Sequence, residues 1–295
     1  MPEEASVWDV FVTAASVADA LHQLAGLQGE GRIIAGGTDL VLQAQRGLCP
    51  SRAMVDITRI PELDRIETRD GFVVIGATVT HARIAGSPTI CSQAPLLAQA
   101  CGSIGGPQIR NVGTLVGNVV NALPAADGAI ALFALGAEVE VADLDESRWL
   151  PIAELYEGVG MCAIDPCAQM VTALRFRPLA AHLGSDFQRL ARRRALVLPI
   201  VNVGAVVGVY NGCFTDARIA VGPVAPTPFR ASEAEQLLIG QPVSDELIAQ
   251  AAVAAASSAR PRPSLLRGSP EYRTEMVEVL VRRALGNASA QAVAA

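Results

Sequence analysis

Two short glycine-containing segments constrain this chain more than any other feature of its sequence. Residues 33–40 read IIAGGTDL and residues 113–118 read GTLVGN, in a chain of which 51% is hydrophobic. Glycine lets backbone N–H groups approach a bound anion closely, and concave runs of such groups bind phosphates. Each segment taken alone fits a tight turn between core elements equally well. As a pair, the two segments predict a site that grips a diphosphate from two sides.

The well-known nucleotide-binding and catalytic motifs do not fit the sequence. Gly29-Glu30-Gly31 lacks the third glycine of the dinucleotide fingerprint G-x-G-x-x-G, and it precedes its strand instead of following it. The sequence contains no P-loop, no G-x-S-x-G elbow and no H-E-x-x-H. These observations argue against a nicotinamide-binding Rossmann domain, a P-loop nucleotidase and a serine hydrolase.

Charge and composition narrow the class of protein further. The net charge is −6, and apart from Arg192-Arg193-Arg194 the basic residues are dispersed, which argues against nucleic-acid binding. No apolar run reaches the roughly 18 residues needed to span a bilayer. The start MPEEASVWDV has acids where a signal peptide has basic residues. We therefore expect a cytoplasmic protein without a membrane span, and the spacing of its six cysteines and three histidines predicts no metal site.

The first half of the chain alternates predicted helices with predicted strands. Ser16 and Asp19 resemble a capping box at the start of a helix that Gly26 and Gly29 end. Helical segments alternate with short apolar runs, which predicts a parallel α/β core. The predicted strands of this core are 32–35, 53–57 and 72–77.

The second half predicts an antiparallel sheet with helices packed on it. Two β-rich runs, 201–210 and 217–221, are joined by a hairpin-like connection over 211–216. We expect the alanine-rich tail after Gly286 to fray. Helices are predicted for 231–238, 244–259 and 271–285.

Five segments in this order resemble the FAD-binding medium subunit of molybdenum hydroxylases, the family that includes the flavin subunits of xanthine and carbon monoxide dehydrogenases. They read IIAGGTDL, GATVTHARI, PQIRNVGTLVGNVVNALPAADGAIALFALGAEVEV, FQRLARRRALVLPIVNVGAVV with RIAVGPVAPTPFRASEAEQLLIG, and RGSPEYRTEMVEVLVRRAL. The resemblance implies an α+β chain. Its FAD-binding domain, residues 1–178, would have two subdomains of the vanillyl-alcohol-oxidase type. A smaller domain of antiparallel sheet and helices would follow at 179–295.

The resemblance also implies which residues contact FAD. One segment would supply main-chain donors to the phosphates, and the other would face the diphosphate from the opposite side. Asp127 would hydrogen-bond the ribose or adenine end, Ile104 would lie against the flavin, and Val171 and Arg189 match further contact positions. The residue types alone also allow structural roles for these positions. Asp127 could be a helix N-cap and Ile104 an ordinary core residue. Arg189 could be a solvated surface base, and His81 a turn or capping residue. The two segments contribute Ile33, Ile34, Ala35, Gly36, Gly37, Thr38, Asp39 and Leu40, and Gly113, Thr114, Gly117 and Asn118.

By the same resemblance the chain is an electron-transfer subunit with no catalytic acid or base of its own. A small partner subunit would carry two [2Fe-2S] clusters and a large one the molybdopterin, in a dimer of heterotrimers that hydroxylates an N-heterocycle, purine or aldehyde. FAD would pass the electrons to an external acceptor. No four-cysteine insertion is present, so no cluster is expected in this chain.

Two departures from the family pattern leave alternatives open. Val116 replaces a glycine of T-I-G-G-N, and residues 196–199 are wholly apolar where relatives often have an acid or an aromatic residue. A stand-alone flavin oxidase would need polar catalytic groups beside the flavin, and a scaffold subunit that has lost FAD would be colourless. Neither the substrate of the complex nor the electron acceptor is encoded in these motifs.

Overall fold

The structure is a computed structural model that describes residues 8–49 and 51–294. Its strands, in chain order, are β1 (Val10–Thr13), β2 (Gly31–Ile34), β3 (Ala53–Asp56), β4 (Ile66–Arg69), β5 (Phe72–Gly76), β6 (Glu138–Ala142), β7 (Ser147–Pro151), β8 (Tyr156–Gly158), β9 (Met161–Cys162), β10 (Met170–Phe176), β11 (Leu183–Leu190), β12 (Val201–Tyr210), β13 (Cys213–Gly222) and β14 (Phe229–Arg230). Its α-helices are α1 (Val17–Gly26), α2 (Leu40–Gln45), α3 (His81–Gly86), α4 (Pro88–Gln93), α5 (Pro95–Ser103), α6 (Pro107–Arg110), α7 (Leu115–Val120), α8 (Asp127–Leu135), α9 (Ser232–Leu238), α10 (Asp245–Ser257) and α11 (Pro270–Ala294). Short 3₁₀ helices cover Pro61–Leu63 and Ile152–Leu155.

A small parallel sheet of strand order β1–β3–β2 leads into the first glycine segment. β3 lies in the middle, so that Ala53 pairs with Val10 on one side and with Gly31 on the other. Helix α1 contacts this sheet and begins at the predicted capping box. Ser16 Oγ accepts a hydrogen bond from Asp19 N at 3.1 Å, and Asp19 Oδ2 accepts one from Ala15 N at 2.8 Å.

The second sheet is antiparallel, with the order β4–β5–β10–β6–β7. The prediction of a parallel core that includes residues 72–77 is therefore wrong. The physical reason is the turn at Asp70-Gly71, where φ is +54° and +77°. This turn closes a hairpin between β4 and β5, and β5 then pairs antiparallel with β10. Within residues 8–49 and 51–178, the parallel pairs are those that join β3 to β1 and to β2.

The third sheet, of order β11–β12–β13–β14, is antiparallel throughout and has helices on both faces. Asn211 and Gly212, with φ of +49° and +76°, form a two-residue turn, so β13 begins at Cys213 and the predicted connection over 211–216 is too long. Every residue of β12 from Val201 to Val209 is buried. Alternate residues of a strand face opposite sides, and α8 covers one face of β12 while α11 covers the other.

The last helix runs further than the sequence predicts. The alanine-rich tail does not fray at Gly286, because Ala288 and Ala292 pack in the core beneath β11. A Cβ on Gly184 would lie 1.9 Å from Ala288 O, so the strand and the helix backbone are in direct contact. Ser185 N also donates to Gln291 Oε1 at 3.2 Å. Tertiary packing thus stabilises a segment whose composition alone predicts disorder.

No helix within residues 8–49 and 51–294 combines the length and the apolar character that crossing a membrane requires.

Candidate functional site

The first glycine segment forms the turn between β2 and α2. Gly37 adopts φ +65°, a conformation that favours glycine, and its carbonyl accepts from Val41 N at 3.0 Å in the first turn of α2. Asp39 stands at the N-cap position, but its side chain makes no capping hydrogen bond. Residues 35–38 are only partly buried. Their backbone is therefore open to a bound group.

The second glycine segment leads into α7. Thr114 is the N-cap residue, and its Oγ1 accepts from Gly117 N at 3.0 Å. The segment is anchored from behind, because His81 N donates to Gly113 O at 3.0 Å and Leu115 N donates to Val79 O at 3.3 Å. These bonds fix the backbone of the segment before any ligand binds.

The structure brings the two glycine segments into direct contact. A Cβ on Gly36 would lie 2.1 Å from Val112 O and 3.0 Å from Gly113 Cα. On the other side, Thr38 Oγ1 lies 3.3 Å from the corresponding position on Gly113. The helices that follow are also tied, since Gln43 Nε2 of α2 donates to Asn121 Oδ1 at 3.1 Å. Two segments that are far apart in sequence thus form one continuous cradle.

Asn118 and Ile104 meet at the start of α8. A Cβ on Gly128 would lie 3.1 Å from Asn118 Oδ1 and 3.8 Å from Ile104 Cδ1. Asn118 Oδ1 is buried and accepts no hydrogen bond from any described residue. A buried acceptor without a donor is unfavourable unless a ligand supplies one. The site therefore offers an acceptor to a bound molecule that carries a hydroxyl or N–H group.

Asp127, Arg189 and Asn202 form a buried polar network beside this point. Arg189 Nε donates to Asp127 Oδ2 at 3.1 Å, and Asn202 Nδ2 donates to Asp127 Oδ1 at 2.8 Å. Arg189 of β11 and Asn202 of β12 are register partners, so both side chains reach the same carboxylate. Arg189 also donates from Nη2 to Val197 O at 2.5 Å. Two predicted site residues are thus in contact with each other.

The structure excludes two of the purely structural roles considered for these residues, the N-cap role of Asp127 and the solvated surface position of Arg189. Ala126, and not Asp127, occupies the N-cap position of α8, so the capping interpretation of Asp127 is wrong. The Arg189 side chain is only 11% exposed, so it is not a solvated base. Burial raises the pKa of Asp127, and the neighbouring Arg189 charge and the Asn202 hydrogen bond oppose that increase.

The sequence motifs do not identify Asn202 as a residue of the site. The signal that could have identified it is one polar residue inside the apolar strand VNVGAVVGVY. A fully buried asparagine needs a polar partner, and its partner here is Asp127.

Val171 is buried in β10, where its side chain belongs to the main core. Strand β10 contacts α7, the helix that continues the second glycine segment. The role of Val171 in binding FAD stays a prediction.

His81 lies directly behind the second glycine segment. Thr80 caps α3, so His81 is its first helical residue and not the cap. The imidazole is buried, its Cδ2 lies 3.5 Å from the position of a Cβ on Gly113, and its Nδ1 has no partner among the described residues. Burial, reinforced by the Arg110 charge, lowers the pKa of His81 from 6.5 to about 4.

We expect this histidine to make the stability of the chain depend on pH. The unfolded chain binds the proton more tightly, so stability is retained above pH 6.5 and falls by up to about 3 kcal/mol as the pH drops to about 4. His81→Gln should flatten that part of the profile. Urea unfolding as a function of pH measures the difference, with His182→Gln at an exposed site as control. Equal slopes for wild type and His81→Gln would contradict the assignment.

An apolar loop covers the edge of the site next to Ile104. Leu196 N donates to Gly105 O at 3.1 Å, and Leu196 adopts φ +52°. The Leu196 and Leu198 side chains are more than half exposed. Ile109 and Val112, which precede the second glycine segment in the sequence, are exposed as well. This loop gives the site an apolar rim.

Among the described residues, no three His, Cys, Asp or Glu side chains come together as a metal site.

Comparison with known proteins gives consistent matches over nearly the whole chain. Residues 5–177 match the family described as the FAD binding domain in molybdopterin dehydrogenase, and residues 187–288 match the CO dehydrogenase flavoprotein C-terminal domain. The chain is 34% identical to the alpha subunit of the 6-hydroxypseudooxynicotine dehydrogenase complex of Paenarthrobacter nicotinovorans, over 94% of this chain and 93% of that protein. It is 31% identical to the xanthine dehydrogenase FAD-binding subunit of Escherichia coli O157:H7, over 95% of each.

A solved structure shows the same fold. Carbon monoxide dehydrogenase from Hydrogenophaga pseudoflava superposes with a TM-score of 0.91 at 30% identity, and the match covers 95% of this chain and 97% of that chain.

Proposed function

The chain belongs to the family of FAD-binding subunits of molybdopterin-dependent dehydrogenases, and we propose that it is the electron-transfer subunit of such a complex. The predicted family and the predicted FAD-binding fold are both confirmed by the matches. In the proposed role the chain holds FAD between a small [2Fe-2S] subunit and an external electron acceptor. A large molybdopterin subunit would hydroxylate the substrate, an N-heterocycle, purine or aldehyde.

The observation that carries this proposal is the contact between the two glycine segments. Their backbones meet at Gly36 and Val112, and each segment leads into a helix N-terminus at Leu40 or Leu115. Backbone N–H groups and helix N-termini together favour a phosphate group. FAD, when bound, supplies one- and two-electron redox chemistry, and the residues of the chain bind and orient it.

The departure at Val116 does not work against FAD. The Val116 side chain is only 6% exposed and packs into the main core with Leu115 and Val119. It therefore leaves free the partly exposed backbone at which the segments meet. This position supports an FAD-binding subunit over a scaffold that has lost the cofactor.

Asn118 is the side chain for which we propose a specific contact with FAD. Because its buried Oδ1 has no donor within the described residues, we propose that it accepts a hydrogen bond from FAD. Asp127, by contrast, already receives hydrogen bonds from Arg189 and Asn202 on both of its oxygens. We propose that Asp127 acts through these two residues to fix the wall of the site, besides any contact with the ribose or adenine end.

The apolar rim formed by Leu196 and Leu198 is where we propose that the partner subunits dock. Exposed apolar side chains within a polar surround are typical of the centre of a protein interface.

Reconstitution with FAD tests the proposal. The purified chain should bind about one FAD and show a flavin spectrum. Asn118→Ala should weaken FAD binding by about tenfold, the cost of one lost hydrogen bond to a buried group. It should change the stability of the FAD-free chain little, since Oδ1 has no partner among the described residues to lose. Asn287→Ala, at an exposed asparagine of α11, is the control for FAD affinity; its own stability should fall slightly, because Asn287 Nδ2 donates to Asp186 Oδ2 at 3.2 Å.

Two outcomes separate the proposal from its alternatives. A colourless chain that takes up no FAD would sink the flavoprotein assignment and favour a scaffold. If hypoxanthine or an aldehyde bleaches the flavin of the isolated chain, the chain is a stand-alone oxidase. We expect bleaching only in the assembled complex.

A further inference from the structure

A second cavity, of about 510 Å³, lies away from the glycine segments. It is bounded on one side by Pro124, in the segment before α8, and on the other by the stretch 260–267 before α11. The end of β13 connects the two sides, since a Cβ on Gly222 would lie 2.6 Å from Pro124 O. None of the residues predicted to contact FAD lines this cavity.

The cavity concentrates positive charge in a chain whose net charge is −6. Four arginines line it, and no aspartate or glutamate does. None of the four forms an ion pair with an acidic residue in the described part of the chain. Burial and then mutual repulsion lower the pKa of two of them, so the cluster is electrostatically uncompensated. The arginines are Arg260, Arg262, Arg267 and Arg273.

Arg273 forms a rigid base for this cluster. It is 98% buried, with a relative exposure of 2%. Its Nη1 donates to Arg262 O at 3.1 Å and its Nη2 to Pro223 O, while its Nε has no partner among the described residues. Arg273 also lies in the first turn of α11, where the helix dipole disfavours a cation. A buried arginine at the positive end of a helix adds to the uncompensated positive charge of the cavity, and that charge favours an anionic ligand.

The remaining walls are mostly apolar. The one polar residue among them is Ser264, whose Oγ already accepts a hydrogen bond from Arg267 N at 3.2 Å. The apolar residues are Pro124, Val159, Pro223, Ala225, Pro226, Pro263 and Leu266. A bare inorganic ion would make no use of these walls, whereas the volume falls within the range of pockets that hold small organic molecules. Guanidinium groups bind phosphate with two parallel hydrogen bonds.

We propose that this cavity binds an organic phosphate. Arg262 and Arg267 hold the phosphate from the open side, Arg273 fixes the position of Arg262 from below, and the proline-rich walls hold the organic part. The proposal does not depend on FAD binding, because the cavity is lined by none of the residues predicted to contact FAD.

Calorimetric titration of the FAD-saturated chain with ADP tests this site. Saturation matters because ADP is part of FAD and would otherwise enter the FAD site. We expect ADP to bind, and Arg262→Gln or Arg267→Gln to weaken it by about tenfold or more, as expected for the loss of a charge-assisted contact. Arg283→Gln, at an exposed arginine on the same helix, should leave ADP binding unchanged. Adenosine should bind more weakly than ADP.

Two results would overturn the proposal. The first is no binding of ADP by the wild-type chain, and the second is unchanged binding in both variants. If ADP does not bind and Arg262→Gln and Arg267→Gln lose the partner subunits, the arginines bind an acidic protein surface instead. Inorganic phosphate should bind more weakly than ADP, and equal affinity would overturn the organic part.

The two proposals fail separately. If the chain takes up no FAD, the proposed function fails, and ADP is then titrated into the chain as purified. Loss of ADP binding in Arg262→Gln but not in Asn118→Ala would still locate the ligand in the arginine-lined cavity.

Discussion

Gly36→Ala should abolish stable FAD binding. The added Cβ would lie 2.1 Å from Val112 O, and contacts shorter than 3.0 Å essentially never occur for a real Cβ. The atom it meets belongs to the backbone, which is anchored through His81 N and Leu115 N and cannot move aside as a flexible side chain could. The two glycine segments would have to separate, at a cost of about 1–3 kcal/mol or more in folding free energy. An FAD titration followed by flavin absorbance, beside urea unfolding of the FAD-free chain, measures both effects.

Gly26→Ala is the matched control for this prediction. It makes the same chemical change at the end of α1, where nothing lies within 4 Å of the added Cβ. We expect wild-type FAD affinity and an almost unchanged unfolding midpoint. Normal FAD affinity in Gly36→Ala would show that the contact between the segments is not needed for the cofactor.

Asp127→Ala should cause the largest loss of stability. It removes the partner of Arg189, whose side chain is 11% exposed, and it leaves the fully buried Asn202 without the acceptor of its Nδ2. Breaking a buried ion pair by removing one partner costs about 3–5 kcal/mol. Denaturant unfolding of the FAD-free chain gives the magnitude. The double variant Asp127→Ala/Arg189→Ala should be less destabilised than the two single variants added together, since the two residues are coupled.

Asp64→Ala provides the comparison for Asp127→Ala. Asp64 pairs with Arg83, but both side chains are about half exposed, so the loss should stay below about 1 kcal/mol. If the two alanine variants prove equally stable, the Asp127 network contributes no more than a surface pair. The proposed role of Asp127 in fixing the wall of the site would then be wrong.

Local sequence signals predicted the elements that local interactions determine. The Ser16 capping box starts α1 as expected, because the capping hydrogen bonds involve only neighbouring residues. The failures have a different origin. β5 joins an antiparallel sheet through the hairpin at Asp70-Gly71, and α11 passes Gly286 because β11 packs on its last turns. Neither partner can be identified from the segment itself.

The candidate site divides in the same way. Both segments of the cradle could be predicted from their glycines, because two backbones can approach closely only where a residue lacks a side chain. The register that places Arg189 opposite Asn202 depends on two strands and on the loop between them. No short motif encodes this register, and so Asn202 was missed. The arginine-lined cavity could not be predicted for the same reason, since its walls come from four separate parts of the chain: residues 124, 159, 223–226 and 260–273.

β12 is buried on both faces, between α8 and α11, and this burial bears on how electrons would reach the flavin in the proposed complex. One face of β12 packs in the core with α8, and the other packs in the core with α11. A movement of residues 187–288 relative to residues 5–177 would therefore expose apolar side chains of β12 and α8 to solvent. On the proposed function, a flavin held beside α8 rests against a wall that is supported from behind. On the same proposal, the distance over which an electron tunnels from a docked cluster to the flavin would depend on how the subunits assemble, because this packing leaves little room for motion within the chain.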